Sequence, residues 1–551
     1  MNPNFVVPAK TQFKDLFDAH YEAQKEKIQE KLDSFDIISI TTDMWSAKYQ
    51  KKSYGGFTAH SIDMNLKPTS LKLGIFELAD AHTADNIEKF IKAKLVSLSI
   101  WDRVLFFAVD NASVMRKCMN NMKKDFVGCF NHLLHLIVNR FLDIKIVKKA
   151  INDLNLNLSS DVDDDSDSDK DEDDDDEDDD LYSDEVDDLF QGLSDEFYES
   201  KEYSDEEVEC LKSIKLVIKK IKKIVSAFNQ SNFLNHQLIV TQKASAEVVS
   251  LRENCIKVLI QDVKTRWNST YALLDRYILL FKYIDQTIND LVNKNNKKKL
   301  LEYQSQVLSE QELELAKIVR DLLKPFLFVT NLLSKENCTT LDLVAYATLY
   351  LRHKIASFTN DSELTPSVKC LLLNSFNFYI EKYAILTNPL LISATFLNPN
   401  YKSFKYSTSD EKTAFVSIYR DFLIKTWNSL KINTETIDSA KTDPLSAASH
   451  HSFFNDNSNN VKEYGTNTLE NEIALYAADE YVDELSKYWN LRKTLYPCLF
   501  KLARVVLCCP ATSVPSERLF SNASDQIWAK RNRLSAFSFE KLMVIYSSLK
   551  V

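Results

Sequence analysis

Two stretches decide the fold: DIISITTD at 36–43 and RVLFFAVD at 103–110. The first is rich in isoleucine and threonine, which suit a pleated, half-buried surface, and it reads as a strand. The second is a short, nearly continuous apolar run, as expected for a buried strand, and it ends in Asp110. Between them, SYGGFTAHSI at 53–62 and SLKLGIFEL at 70–78 read as two further strands separated by the turn-like NLKP. The period turns helical in HTADNIEKFIKAKLVSL at 82–98, with Thr83 as a candidate cap. A helix over 112–123, a short strand FVGCF at 126–130 and a helix over 131–148 follow. The order predicts an α/β fold in which three antiparallel meander strands feed a parallel portion, with helices packed on the faces of a mixed sheet. Asp43 and Asp110 then end two apolar strands. Sites in open α/β sheets gather beyond the carboxyl ends of strands, so both carboxylates can point into one crevice.

Outward from this block the character changes. Residues 12–33 form a helical segment too sparse in apolar positions for a core helix, and suited to a surface or a partner. The tract DVDDDSDSDKDEDDDDEDDD at 161–180 cannot offset its ordering entropy by apolar burial, and its like charges repel, which predicts a disordered loop. It can mimic nucleic acid in a basic groove, bind basic partners, or solubilise an insertion. Apolar residues at i, i+3, i+4 spacing recur over 210–228, 244–260, 267–291, 306–334 and 341–358, so a second, all-helical region is expected. Residues 433–466 are polar and read as a linker, structure resumes over 472–510, and two last helices flank KRNRL at 530–534. The expected division is 1–34 N-terminal helical segment, 35–150 sheet core, 151–210 acidic loop, 211–432 helical insertion, 433–466 linker and 467–551 C-terminal region.

A chain of 551 residues with 45% hydrophobic and 27% charged residues, 6 Gly and 11 Pro is neither collagen-like nor wholly disordered. Nine scattered cysteines, never spaced CxxC, argue against a disulfide scaffold or a four-cysteine zinc site and for a reducing compartment. No stretch approaches the roughly 18 apolar residues of a membrane span, and no signal-peptide pattern opens the chain, so a soluble intracellular protein is expected. The net charge of -11 conceals an asymmetry: residues 161–210 hold 28 acidic and 2 basic residues, leaving 66 basic against 51 acidic elsewhere. Attraction to a polyanion follows from that distribution rather than from the total.

Two strand-terminal aspartates are a weak signal alone. A hard divalent cation needs oxygen ligands, and the candidate third carboxylate is Glu517 in PATSVPSERLFS, where Pro515 and Ser516 look like a helix start. Cys129, His132 and His135 have C-x2-H-x2-H spacing; zinc is possible, but with no fourth ligand evident ordinary packing is the simpler reading. Arg266 and Trp267 join a cation to an aromatic plane, and Trp267 equally suits packing on the helical core. Lys530, Arg531 and Arg533 can contact phosphates, or Arg518 and Arg533 can pair with carboxylates and hold the last helices. Leu534, Phe537, Phe539, Leu542, Met543 and Ile545 form an apolar pattern suited to packing or dimerisation.

TTDMWS at 41–46, VDNASVM at 109–115, CFNHLLHLIV at 129–138, DVKTRWNSTYALLDR at 262–276 and PATSVPSERLFS at 510–521 with KRNRL resemble the hAT superfamily of DNA transposases and their BED-type relatives, in the family's order. The resemblance implies a ribonuclease-H-like core interrupted by a helical insertion, with the C-terminal region completing both the core and a dimer interface. It places the catalytic and metal-binding triad on Asp43, Asp110 and Glu517. Two Mg2+ or Mn2+ ions, expected only with DNA bound, would activate the attacking hydroxyl and stabilise the leaving oxygen from about 3.5–4 Å apart. The implied partners are double-stranded DNA with terminal inverted repeats and a second copy of the chain, in the nucleus, with no membrane. His132 becomes a phosphate or leaving-group contact, and Trp267, beside Arg266, a platform for a displaced base, worth about 1–3 kcal/mol. No Cys/His cluster of BED-finger type precedes residue 118, Ser524 stands where the family commonly has glycine, and the acidic insertion is long. Two functions therefore stay open: a transposase cleaving and joining DNA, and a catalytically inactive, transposase-derived nuclear protein that dimerises and associates with DNA.

Overall fold

The computed structural model describes residues 9–47, 50–142, 204–245, 256–263, 267–295, 297–439, 466–524, 526 and 534–549. The chain divides into two compact units. One comprises Met1–Leu133, Asn331–Tyr350 and Tyr383–Val551, the other Leu134–Thr330 and Leu351–Lys382.

The first unit holds the sheet. Helix α1 (Lys10–Asp33) leads into β1 (Ile38–Ala47), β2 (Lys52–Ile62) and β3 (Pro68–Leu78); α2 (Ala84–Ser97), β4 (Val104–Val109), α3 (Ser113–Met122) and β5 (Asp125–Gly128) follow, and α4 (Phe130–Leu142) starts here but belongs from Leu134 onward to the second unit. The strand order is β3-β2-β1-β4-β5. β1 pairs antiparallel with β2 and parallel with β4, β2 pairs antiparallel with β3, and β4 pairs parallel with β5. The expected meander feeding a parallel portion is what the sheet contains. Thr83 caps α2, its hydroxyl accepting from Asn86 N–H at 3.3 Å. Ile87, Ile91 and Leu95 of α2 and Met115, Cys118 and Met119 of α3 bury against Ile38, Ile40, Phe57, Phe107 and Val109 of the sheet.

The same unit takes in the later helices α12 (Pro389–Phe396), α13 (Ser409–Ser439), α14 (Thr466–Ala478), α15 (Leu485–Arg492), α16 (Pro497–Leu507), α17 (Val514–Ser524) and α18 (Ala536–Leu549). Residues 383–432, expected with the helical insertion, thus cluster with the sheet. Their aromatic residues explain this: Phe396 stacks on Tyr419 with centroids 3.7 Å apart and meets Tyr476 edge-on, and buried Trp489 donates from Nε1 to the Leu397 carbonyl at 3.0 Å. Helix α1 is not a free surface helix. Tyr21 packs with Val544 and Ile545 of α18 and donates to Glu540, while Lys541 pairs with Asp18 at 2.7 Å.

The second unit is helical. It contains α5 (Asp205–Gln230), α6 (Asn232–Ala244), α7 (Trp267–Asn295), α8 (Lys298–Gln306), α11 (Thr365–Lys382) and most of α9 (Glu310–Leu333), whereas α10 (Val344–Ala356) contributes only its last residues. Residues 205–210, expected at the end of the acidic loop, instead start α5, because Ser204 and Glu207 form a reciprocal capping box and acidic side chains suit a helix N-terminus. The rest of the acidic tract lies outside the described residues, as does most of the expected linker; α13 runs to Ser439. Residues 256–263 are not helical, against the helix expected over 244–260. The buried amide of Gln242 bonds both the N–H and the carbonyl of Lys257, occupying the backbone groups a helix would use.

Candidate active site

Register sets Asp43. The parallel pairing of β1 with β4 stops at Thr41 and Ala108, but antiparallel pairing with β2 continues to Ala47 and Lys52. Asp43 is therefore within β1, opposite Gly56, and not at the strand's end as the sequence suggested. The parallel neighbour, not β1 itself, ends there. Asp110 directly follows β4, and its Oδ1 accepts from Ala112 N–H at 3.2 Å, which turns the chain into α3. Asp43 Oδ1 accepts from Met44 N–H at 2.8 Å.

Glu517 arrives on the first turn of α17, where Ser516 and Glu517 N–H both bond the Ser513 carbonyl and Ser513 Oγ lies 3.4 Å from Glu517 Oε1. Two features hold this helix on the sheet. Gly56, the cross-strand partner of Asp43, leaves room for Phe520: a Cβ there would lie 2.8 Å from the ring. Phe520 also stacks on Trp45 at 5.8 Å, and Glu517, three residues earlier, shares its helical face. The second feature is a polar chain through buried groups. Ser516 Oγ bonds Thr41 Oγ1 at 3.0 Å, Thr41 Oγ1 meets His60 Nε2 at 3.1 Å, and His60 Nδ1 meets Ser70 Oγ at 2.9 Å. Burial pushes the His60 imidazole down to about 3, so it is neutral near pH 7. Farther along, buried Arg504 of α16 donates to the carbonyls of Asp63 and Ile62 and pairs with Asp36.

Glu517 lies more than 400 positions beyond Asp110 in sequence, yet Asp43 feels the charges of both. Burial first, then the charges of Asp110 and Glu517, raises the Asp43 carboxyl well above the usual range, against the Met44 N–H bond that lowers it. Burial also raises Asp110, while His132 and the Ala112 N–H oppose the shift. His132 Nδ1 accepts from Asn111 N–H at 3.4 Å, next to Asp110. Buried Asn111 bonds the Cys129 carbonyl at 2.8 Å and fills the space a side chain at Gly128 would need. Cys129 is buried, and burial followed by the Glu517 charge pushes its thiol up to about 12, which leaves it a packing group.

Among the described residues, no three His, Cys, Asp or Glu side chains stand where they could together hold a metal ion. The donor set of Asp43, Asp110 and Glu517 nonetheless suits a hard divalent cation in kind: three carboxylates offer oxygen ligands, and Asp43 is close enough to the other two to feel their charges. The other sequence candidates fall elsewhere. Trp267 opens α7 and is 3% exposed, edge-on to Phe326 at 6.5 Å, so its ring is a core element of the helical unit. This placement is what the packing alternative expects, and base stacking by Trp267 stays a proposal. His135 is held by Trp267 N–H at Nδ1 and Asn139 at Nε2, which spends both ring nitrogens and removes it from the zinc-like triplet. Arg518 pairs with Glu336 and bonds the Ser334 carbonyl at 2.7 Å. Arg266, Lys530, Arg531 and Arg533 lie outside the described residues. In the apolar C-terminal pattern, Phe539 and Met543 are buried within the unit, whereas Phe537 is exposed. Sequence reasoning missed Asn111, Gly56, His60 and Ser516. The glycine pair in SYGGF and the polar residues Thr41 and His60 within β1 and β2 were the available signals.

A mixed five-stranded sheet of this order, interrupted by a helical unit and completed by C-terminal helices, defines a ribonuclease-H-like core. Residues 41–135 match the ZBED1 RNase-like domain, 127–322 the ZBED1 RNase-like helical domain, and 472–549 the hAT family C-terminal dimerisation region. The chain belongs to the hAT/BED-type transposase superfamily. It is 24% identical to "Putative AC transposase" of Zea mays over 98% of this chain and 60% of that protein. It is 25% identical to the human zinc finger BED domain-containing protein 4 over 53% of this chain and 24% of the relative. "Putative transcriptional regulator tpeD" of Talaromyces stipitatus is 22% identical over 98% of this chain and 57% of its own length. The chain thus spans about 60% of the relatives it matches end to end. No described helix is long and apolar enough to cross a membrane.

Proposed function

We propose that this chain acts as a DNA transposase, cleaving double-stranded DNA at terminal inverted repeats and joining the freed ends to a target, in the nucleus and as a dimer or higher homo-oligomer. The supporting observation is that Asp43 of the central strand β1 is buried where it feels the charges of both Asp110, just past β4, and Glu517, from the far end of the sequence. Asp43, Asp110 and Glu517 would hold Mg2+ or Mn2+, which when bound lowers the pKa of an attacking hydroxyl and stabilises negative charge on phosphate oxygens. The chain's own groups do the positioning. Register fixes Asp43, the Ala112 N–H orients Asp110, and Phe520 with the Ser516–Thr41–His60 chain seats Glu517. His132, beside Asp110, contacts phosphate or the leaving group. The C-terminal region supplies the dimer contact, in keeping with the family segment it matches. The test is Mn2+- or Mg2+-dependent cleavage of cognate ends by the full chain. Asp43→Asn abolishes it if the triad is right, and unchanged cleavage refutes the site.

A second reading is a catalytically inactive, DNA-associated regulator that dimerises through residues 472–549. It is favoured by the lack, among the described residues, of three side chains gathered to hold a metal, and a relative's name describes a transcriptional regulator. Cleavage by the wild-type chain eliminates it; DNA binding without cleavage at any divalent-ion concentration establishes it.

A further inference from the structure

The first unit contains a cleft of about 620 Å³ on the sheet face that carries Asp43. Side chains alternate along a strand, so Ser39, Thr41 and Asp43 share a face, and their antiparallel partners His60, Thr58 and Gly56 lie beside them. Thr58 lines the cleft and sits one two-residue step, roughly 7 Å, from the position opposite Asp43. Helix α17 separates the two places. Glu517 faces the carboxylates, whereas Arg518 lines the cleft.

The lining is electrostatically one-sided. Lys27 and Lys31, one turn apart on α1, join Lys72 of β3 and Lys335, and among the described residues none of these four has an ion pair or side-chain hydrogen bond. The one acidic residue of the lining, Glu336, is already engaged by Arg518. A second, independent feature points to a ligand with acceptor oxygens: Thr58 is 1% exposed, and its hydroxyl has no hydrogen-bond partner, an arrangement that costs free energy unless something accepts from it. Four free ammonium groups, an unmatched hydroxyl donor and a volume suited to one or two nucleotides are chemically complementary to a phosphodiester strand.

We infer that this cleft is a phosphate-binding track, to which helix α1 contributes two of the four lysines, that holds a nucleic-acid strand running to or from the carboxylates. The inference rests on the transposase reading for what happens at the carboxylates, but its binding prediction is independent of catalysis. It assigns α1, which lies before residue 41 where the matched family segments begin, a direct role in gripping DNA.

The test is equilibrium binding of the full chain to a short mixed-sequence duplex and to its single strand, across a salt series. Lys27 and Lys31 are exposed, so Lys27→Ala/Lys31→Ala should fold. Each lost phosphate contact lowers the salt slope by about 0.9 for duplex or about 0.7 for single strand. The pair should thus weaken duplex binding roughly 30-fold near 0.15 M salt. Thr58→Val, close to isosteric, should weaken binding several-fold with no change in slope, because it removes a neutral donor. Lys412→Ala, on α13 and outside the lining, serves as the control and should change neither affinity nor slope. An unchanged slope in the double variant overturns the track. So does inorganic pyrophosphate that binds the wild type, and not the double variant, without competing with DNA, because the cleft then serves a small anion. The lysine-dependent slope is read beside cleavage by the wild type. If the wild type shows that slope but no cleavage, the track stands and the catalytic reading falls; cleavage with an unchanged slope has the opposite meaning.

Discussion

Replacing His60 by asparagine isolates one buried titration. His60 is 5% exposed, bonded to Thr41 and Ser70, and held down to about 3 from an ordinary 6.5 by burial. The folded chain keeps the imidazole neutral while the unfolded chain takes up a proton as the pH falls through 6.5. The contribution is therefore complete above 6.5 and is lost progressively on acidification towards about 3. Within that window each pH unit removes about 1.4 kcal/mol, so between pH 7 and pH 5 the wild type should lose about 2 kcal/mol that His60→Asn does not. The change should be read where the group sits, as the opening free energy of β1 and β2 amides by hydrogen exchange at the two pH values, because a chain of two compact units need not unfold in one step. Equal losses in wild type and variant would refute the argument, since His60 would then already share its proton between folded and unfolded states.

Asp43→Asn should stabilise the metal-free protein near neutral pH. A carboxyl raised in the fold weakens the fold as pH climbs above the unfolded value near 4, and the gain should vanish below that, as thermal melts across pH will reveal. With DNA present, Mg2+ or Mn2+ should raise the melting temperature of the wild type and leave Asp43→Asn unmoved. Gly56→Ala would drive a methyl into Phe520 and tilt α17; the expected loss is about 1–3 kcal/mol in denaturant titrations, with recovery when Phe520→Leu is added. Arg504→Met should cost about 2–4 kcal/mol in the same titrations, because the carbonyls of Asp63 and Ile62 lose a buried donor.

The sheet was legible because its strands carry a period of two and its helices a period near 3.6, and those patterns depend on neighbours a few residues away. Asp110 was placed correctly for the same reason: the apolar run simply stops there. Asp43 was misjudged as a strand end because how far β1 extends depends on β2, whose pairing outlasts that of β4. Nothing local in VPSERLFS says that Phe520 will lie over Gly56 or that Ser516 will reach Thr41; Glu517 entered through resemblance, and its setting became physical only with the fold. Trp267 illustrates the converse. An aromatic residue beside a cation fits a base as readily as a core, and its packing on Phe326 could not be read from neighbours in sequence. The assignment of residues 383–432 to the sheet unit rests on aromatic partners some 80 positions downstream, beyond any periodicity window.

The pairing of Asp18 with Lys541 joins residues 523 positions apart. At roughly 5–20 residues per second, a ribosome takes about half a minute to two minutes to deliver the second partner after the first. For most of that interval the nascent meander has neither α17 nor α18 to cover Tyr54 and Ile75, which both bury in the finished molecule. Synthesis therefore holds a half-clad sheet for longer than most small domains need to fold, so chaperone occupancy during translation should govern how much folded protein accumulates.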